Sequence, residues 1–142
     1  MSNMLFYAHS GLRFLVMAAA VIAIAVLFWG WRSGRPFGGQ SRAVTALFTG
    51  ALDLQVLLGI GTLLTRPWYG ALIGHLMMMI AAVIAAHGIT TYGRKQSDPK
   101  RAHLITMIGV AVALVLILGG IMAIRENPFQ STPIAAAVSQ AN

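Results

Sequence analysis

The histidines are the side chains of this sequence best suited to chemistry. There are four, and each lies within or at the end of a long apolar run: His9, His75, His87 and His103. A neutral imidazole nitrogen binds transition metals and haem iron. Ionisable side chains inside apolar segments are costly and are functional candidates by default. All four are therefore candidate axial ligands of a metal cofactor.

The apolar runs that carry these histidines predict membrane-spanning helices. Hydrophobic residues make up 58% of the 142 residues and charged residues only 9%, whereas a soluble domain is typically about 25% charged. A span needs about 20 apolar residues, and four runs are long enough: residues 5–31, 43–64, 69–92 and 102–124. Their short connections predict an all-α integral membrane four-helix bundle in up-down-up-down order over residues 1–125, with a polar C-terminal tail over residues 126–142.

The cations outside these runs predict the orientation. Seven Lys and Arg lie in the first and third connections, against two in the second connection and after the last run. The positive-inside rule places the first and third connections in the cytoplasm and both termini in the periplasm of a bacterial inner membrane. The net charge of +7 is thereby explained without nucleic acid as a partner. The absence of cysteine excludes disulfides, thiolate metal sites and thioether-linked haem.

The depths of the histidines sort them into two pairs. His9 and His75 lie near the outer level of their spans, and His87 and His103 lie towards the inner level. At about 1.5 Å rise per residue, His75 and His87 are separated by about 18 Å along their helix. Two imidazoles at one level of an apolar bundle are the arrangement that binds b-type haem. The pattern predicts a haem held by each pair, or a single haem if only one pair forms.

Three other polar side chains are candidates to assist such a cofactor. Arg13 follows His9 by four residues on the same helix face, and is a candidate partner of a haem propionate or of Asp53. Arg66, close to Trp68 at the outer interface, is a second propionate candidate. Asp53 lies near the middle of its span. A carboxylate there is either protonated, paired with Arg13 or hydrogen-bonded to a histidine, and it is a candidate proton acceptor.

This plan resembles the small bacterial membrane cytochrome b subunits, which bind two haems in a four-helix bundle. The resemblance rests on the four histidines at two levels and is one of architecture. It implies a non-catalytic electron-transfer subunit that works with other membrane or periplasmic subunits of an oxidoreductase complex and with quinone. One feature departs from that family. His75 and His87 are only twelve residues apart, which leaves a turn of about 120° between them, so the two rings cannot face the same neighbour without a bulge in the helix.

Two other classes of function remain open. A pigment-binding or purely structural subunit of a photosynthetic or respiratory assembly would use its histidines singly, because a chlorophyll magnesium needs one axial imidazole. A small transporter would move protons or metal ions past the histidines and Asp53, but the sequence has no internal repeat of the kind that transporters use. The haem spectrum of the purified protein separates the electron-transfer hypothesis from both.

Overall fold

Each of the four apolar runs folds into one long helix. In the computed structural model, which describes residues 2–129, the helices are α1 (Ser2–Ser33), α2 (Gly39–Thr65), α3 (Ala71–Arg94) and α4 (Pro99–Met122). All four are long and apolar enough to cross a membrane, and this part of the chain contains no strand. The predicted all-α membrane four-helix bundle is confirmed.

The helix ends are set by capping and turn residues as well as by hydrophobicity. The fourth helix begins at Pro99, ahead of its apolar run, because the Asp98 carboxylate accepts hydrogen bonds from the backbone N–H groups of Lys100 and Arg101, both at 3.3 Å. Proline suits the first turn of a helix, where its missing N–H would have no partner. The connection after α1 turns at Gly34, whose φ of 66° is readily adopted by glycine.

The helices pack in a row that is open on one side. α1 packs against α2 on one side and α4 on the other, and α4 packs against α3. α2 and α3 have few contacts with each other, which leaves an opening between them. Close approach of α3 to α4 depends on Gly93, where an added Cβ would overlap Thr106. Small residues at such crossings are the usual means of packing helices in a membrane, where lipid provides no hydrophobic drive between them.

Neighbouring helices run antiparallel. Arg66, just after α2, donates a hydrogen bond of 2.9 Å to the side chain of Asn3 at the start of α1. Gly74, near the start of α3, lies against Ala123, just after α4. We call the end of the bundle at which α1 begins the N-terminal end, and the other the opposite end. Which end faces the periplasm stays a prediction.

The segment after α4 turns back over the start of α1. The ring of Phe129 stacks on Phe14 with centroids 6.5 Å apart, and the carbonyl oxygen of Pro128 accepts a hydrogen bond of 3.2 Å from Arg13 Nε. The polar tail predicted for residues 126–142 therefore begins with docked residues, and residues 130–142 lie outside the described part of the chain.

Candidate functional site

Two histidines meet at the N-terminal end of the bundle. His9 of α1 and His75 of α3 lie with their ring centroids 6.4 Å apart and their ring planes at 88°. Both residues are partly buried. The structure thus brings together the two side chains that depth counting assigned to the outer pair.

Each of these rings is held by a backbone carbonyl of a neighbouring helix. His9 Nδ1 donates to the carbonyl oxygen of Gln55 in α2 at 3.0 Å, and His75 Nδ1 donates to that of Gly120 in α4 at 2.8 Å. A carbonyl oxygen only accepts, so each Nδ1 carries the hydrogen and each Nε2 keeps its lone pair. Histidines that bind metal through Nε2 commonly have Nδ1–H fixed in this way.

Gln55 connects His9 to α2 a second time. Its side-chain Nε2 donates to the His9 carbonyl oxygen at 2.9 Å. The residue is only 8% exposed, and its Oε1 is buried without a hydrogen-bond partner in the described part of the chain. An unsatisfied buried acceptor costs about 1–3 kcal/mol. This oxygen is therefore a polar group suited to receive a hydrogen bond from a ligand or a water near His9.

A glycine preserves the space around the His9 ring. At Gly59 of α2, an added Cβ would lie 3.0 Å from Cε1 and 3.4 Å from Nδ1 of His9. Any larger residue there would displace the imidazole by a few tenths of an ångström and disturb its hydrogen bond to Gln55. The sequence shows Gly59 only as one of several small residues in the span, because its neighbour lies on another helix.

Two arginines lie at the same end of the bundle. Arg13 and Arg125 are each 4% exposed, and both donate to the hydroxyl oxygen of Ser10, at 2.6 and 3.1 Å. Burial lowers the pKa of Arg125 below its usual value, an effect that nearby Tyr69 partly offsets. Guanidinium groups bind carboxylates with charge-assisted hydrogen bonds, and the carboxylate of Glu126 follows Arg125 directly in the chain. The sequence pattern does not single out Arg125, because a cation after the last span reads as a topology signal.

Arg66 is engaged at the rim of the bundle. Besides its hydrogen bond to Asn3, its guanidinium carbon lies 4.0 Å from the ring centroid of Phe6, a cation–π contact. These contacts fasten the end of α2 to the start of α1. The role of Arg66 as a partner of a haem propionate stays a prediction, because these contacts give it no further support.

The third histidine is bonded to a carboxylate. His87 Nε2 lies 2.7 Å from Oδ1 of Asp53 in α2, which is one of the three arrangements that the sequence left open for Asp53. The pair bridges the opening between α2 and α3, and the two side chains are 45% and 53% exposed. An ionisable pair exposed within spanning helices is costly to maintain and is a candidate functional group.

A π-helical turn in α3 positions His87. The turn covers Ala85–Ile89, and the hydroxyl of Thr90 donates to the carbonyl oxygen of Ala86, which helps to satisfy the backbone where the helix is widened. Such turns occur frequently at functional sites. The structure therefore contains a bulge of the kind that the twelve-residue spacing would require if both rings were to face the same neighbour. Even so, the rings take different neighbours, because His75 contacts α1 and α4 whereas His87 reaches α2.

The fourth histidine is enclosed at the opposite end of the bundle. His103 is fully buried. Its Nδ1 donates to the Pro99 carbonyl oxygen at 2.8 Å, so its Nε2 accepts from the Ser41 hydroxyl, 2.9 Å away. The ring of Phe37 lies beside it, with centroids 4.9 Å apart, and an added Cβ at Gly30 would overlap it. Both ring nitrogens are thus engaged by the protein.

The structure brings the outer histidine pair together but gives the inner two different partners. His87 bonds to Asp53, and His103 bonds to Ser41 and Pro99. Within residues 2–129, no group of three or more His, Cys, Asp or Glu side chains is placed to hold a metal ion by itself. A metal cofactor with its own ring of ligands needs only two axial side chains, and His9 and His75 are the two histidines whose rings the structure brings together.

Known proteins add no family to this description. Comparisons of the chain with protein-family models, with curated proteins and with solved structures gave no match. The likeness to membrane cytochrome b subunits therefore stays one of architecture, and what the structure shows is a small all-helical bundle whose four long helices, within residues 2–129, can cross a membrane.

Proposed function

We propose that this chain is a transmembrane electron-transfer subunit that holds a b-type haem between His9 and His75. The observation that carries the proposal is the geometry of that pair: two imidazoles on different helices, 6.4 Å apart, each with Nδ1 on a backbone carbonyl. Haem, when bound, supplies reversible one-electron chemistry. The protein binds the group, orients it and keeps it within the membrane.

The spacing of the two rings supports a shared axial site. A metal–imidazole bond is about 2 Å long, so two imidazoles on opposite sides of one ion have ring centroids about 6 Å apart. The observed ring-centroid separation of 6.4 Å is close to this value. The carbonyls of Gln55 and Gly120 would hold the rings in place and make each Nε2 a better donor to the metal.

The charges at this end of the bundle support the same group. The propionates of a haem are carboxylates, and guanidinium groups bind carboxylates with strong, charge-assisted hydrogen bonds. Arg13 and Arg125 converge on Ser10 within this region. We assign them the role of balancing the propionate charge, with Arg13 as the sequence expected and Arg125 in addition.

The proposal includes one haem. Binding of a second haem through Nε2 of the fully buried His103 would require the loss of its hydrogen bond to the Ser41 hydroxyl, and Nε2 of His87 is already bonded to Asp53. Each buried hydrogen bond contributes about 1 kcal/mol, and leaving a buried partner unsatisfied costs more. We therefore propose a haem only for the outer pair, His9 and His75.

The surroundings favour a subunit of a larger complex. The connections between the described helices are short, so they add little extramembrane mass to the bundle. A subunit of this kind passes electrons between other membrane or periplasmic subunits and quinone. The alternative is a pigment-binding or purely structural subunit, but a pigment magnesium needs one imidazole, and the pairing of His9 with His75 favours a group with two axial ligands.

Haem content tests the proposal directly. The protein purified from a haem-producing host is expected to contain one haem per chain, with a sharp α-band on reduction and no spectral change with carbon monoxide, because both axial positions are taken by imidazole. The measurements are the pyridine haemochrome spectrum and the protein concentration. A chain without haem after expression with excess haem would refute the electron-transfer function and leave the structural or pigment subunit as the better account.

The pair Asp53–His87 is our candidate for proton exchange with quinone. It is half-exposed at the opening between α2 and α3, where a lipid-soluble molecule has access. A carboxylate hydrogen-bonded to an imidazole can accept a proton from a hydroquinone hydroxyl, and a well-placed general base typically contributes a factor of 10² or more.

Replacement of Asp53 by asparagine tests this role. Asp53→Asn removes the proton acceptor but keeps the size of the side chain, so the rate at which a hydroquinone reduces the bound haem is expected to fall by about 10²-fold. The haem spectrum should stay unchanged. Asp98→Asn is the matched control, because asparagine caps a helix about as well as aspartate. Equal reduction rates for the two variants would exclude Asp53 as the acceptor.

A further inference from the structure

A cavity at the opposite end of the bundle lies outside the site described above. It has a volume of about 340 Å³ and lies where α1 ends and α2 begins. Its lining consists of five side chains, Ala25, Val26, Trp29, Arg35 and Gln40. The cavity is wide open to its surroundings, so it suits one end of a larger molecule better than a fully enclosed ligand.

The lining has an apolar part and a polar part. Ala25 and Val26 belong to α1 and lie about one helical turn deeper than Trp29, which places them along the hydrocarbon. Arg35 and Gln40 lie in the connection and in the first turn of α2. Arg35 offers a fork of N–H donors, and the amide of Gln40 offers two more. These groups match the oxygens of a phosphate, with an apolar chain continuing beside α1.

The charged residues near the lining residues in sequence have one sign. Arg32 lies at the end of α1, Arg35 in the connection and Arg42 in the first turn of α2, and no acidic residue precedes Asp53 in the sequence. Trp29 is 63% exposed, and tryptophan commonly lies at the level of the lipid head groups. An anion is therefore favoured at this position, and the aromatic side chain places it at the membrane interface.

We propose that this cavity binds the phosphate of an anionic phospholipid, with Arg35 and Gln40 as donors and an acyl chain against Ala25 and Val26. A lipid is preferred over free phosphate because three of the five lining residues, Ala25, Val26 and Trp29, are hydrophobic and belong to a span. Binding a chain there removes apolar surface from the cavity, which free phosphate cannot do. The site is independent of the haem proposal, since its residues lie at the other end of α1 from His9.

Two arginines near the connection provide a matched comparison. Arg35 lines the cavity, whereas Arg42 lies nearby in the first turn of α2, carries the same charge and does not line it. A general attraction between the basic end of the protein and the membrane would depend on both residues equally. Lipid binding at a specific site in the cavity would depend on Arg35 and not on Arg42.

Lipid retention by the purified protein tests the proposal. The protein is released from nanodiscs of equal phosphatidylglycerol and phosphatidylcholine content, and bound lipid is counted by native mass spectrometry. The wild type is expected to retain phosphatidylglycerol in preference. Loss of the charge-assisted hydrogen bonds in Arg35→Gln should reduce that retention about tenfold, whereas Arg42→Gln should change it less than twofold.

Two further arms separate the possible outcomes. Inorganic phosphate at millimolar concentration is expected to leave lipid retention unchanged, and displacement of the lipid by phosphate would mean that the site takes free anions instead. An equal loss of lipid retention in Arg35→Gln and Arg42→Gln would refute a lipid site in the cavity and would indicate attraction by general surface charge instead. Thermal unfolding in detergent checks that both variants are folded, and a second variant, Gln40→Leu, should repeat the loss with no change in charge.

Discussion

Replacement of His75 by alanine is expected to remove the haem, whereas replacement of His87 by alanine is expected to leave it in place. In our proposal His75 supplies one of two axial bonds, with its Nδ1 fixed on the Gly120 carbonyl oxygen. His87 is bonded to Asp53 and is not part of the axial site. The haem-to-protein ratio of His75→Ala should fall below about a tenth of the wild-type value, since the haem loses a ligand and its orientation.

Small-molecule rescue shows that the variant has lost a ligand and not its fold. His75→Ala leaves a space of imidazole shape, so imidazole added during reconstitution is expected to restore haem binding and the low-spin spectrum. Far-UV circular dichroism should show the same helix content in all variants. A haem content halved by His87→Ala would instead support two haems, and an unchanged content in His75→Ala would refute the axial pair.

The outer pair could be predicted from sequence because its geometry depends on simple quantities. His9 and His75 each lie a few residues from the start of a span that begins at the N-terminal end of the bundle. Rise per residue and antiparallel order then bring them to one level. Neither quantity depends on side-chain detail. The hydrogen bonds that fix the rings could not be predicted, because they end on backbone carbonyls, which every residue has.

The inner pair, His87 and His103, illustrates what is missed when the depth of a residue is judged only by its distance in sequence from the end of a span. His103 lies in the first turn or so of α4, next to the connections, where polar groups such as the Pro99 carbonyl and the Ser41 hydroxyl compete for its ring. His87 lies in a π-helical turn, which changes the direction of its side chain. The spacing of twelve residues indicated that the two rings would face different neighbours unless the helix contained a bulge, but a spacing cannot show whether a bulge forms or which helix the widened turn will face.

The open side of the bundle is another feature that could not be predicted from the sequence. Short connections predict that successive helices are neighbours, and α1 with α2 and α3 with α4 follow this rule. The sequence does not determine whether α2 and α3 also close against each other. In the structure they are bridged by Asp53 and His87, and this placement turns a carboxylate in mid-span into the proposed proton-exchange group.

Replacement of Gly30 by alanine is expected to destabilise the opposite end of the bundle strongly. An added Cβ at this position overlaps the imidazole of His103, and the ring has little freedom to move. Ser41 and Pro99 hold its two nitrogens, and the tilted ring of Phe37 lies beside it, with centroids 4.9 Å apart. Overpacking costs about 1–3 kcal/mol, and each hydrogen bond lost adds about 1 kcal/mol. We expect the free energy of unfolding in mixed micelles to fall by about 2–4 kcal/mol.

A glycine elsewhere in the bundle provides the control for this substitution. At Gly50 of α2 an added Cβ has no heavy atom within 4 Å beyond its own helix backbone and chain neighbours, so Gly50→Ala is expected to be neutral or slightly stabilising, because alanine favours the helix. The double variant Gly30→Ala with His103→Ala should be more stable than the sum of the two single losses predicts, since the overlap needs both side chains. Two results would contradict this account: additive losses in the double variant, or equal free energies of unfolding for Gly30→Ala and Gly50→Ala. Either would mean that His103 is not the residue that requires glycine at position 30, and that His103 is not enclosed at this end of the bundle as described.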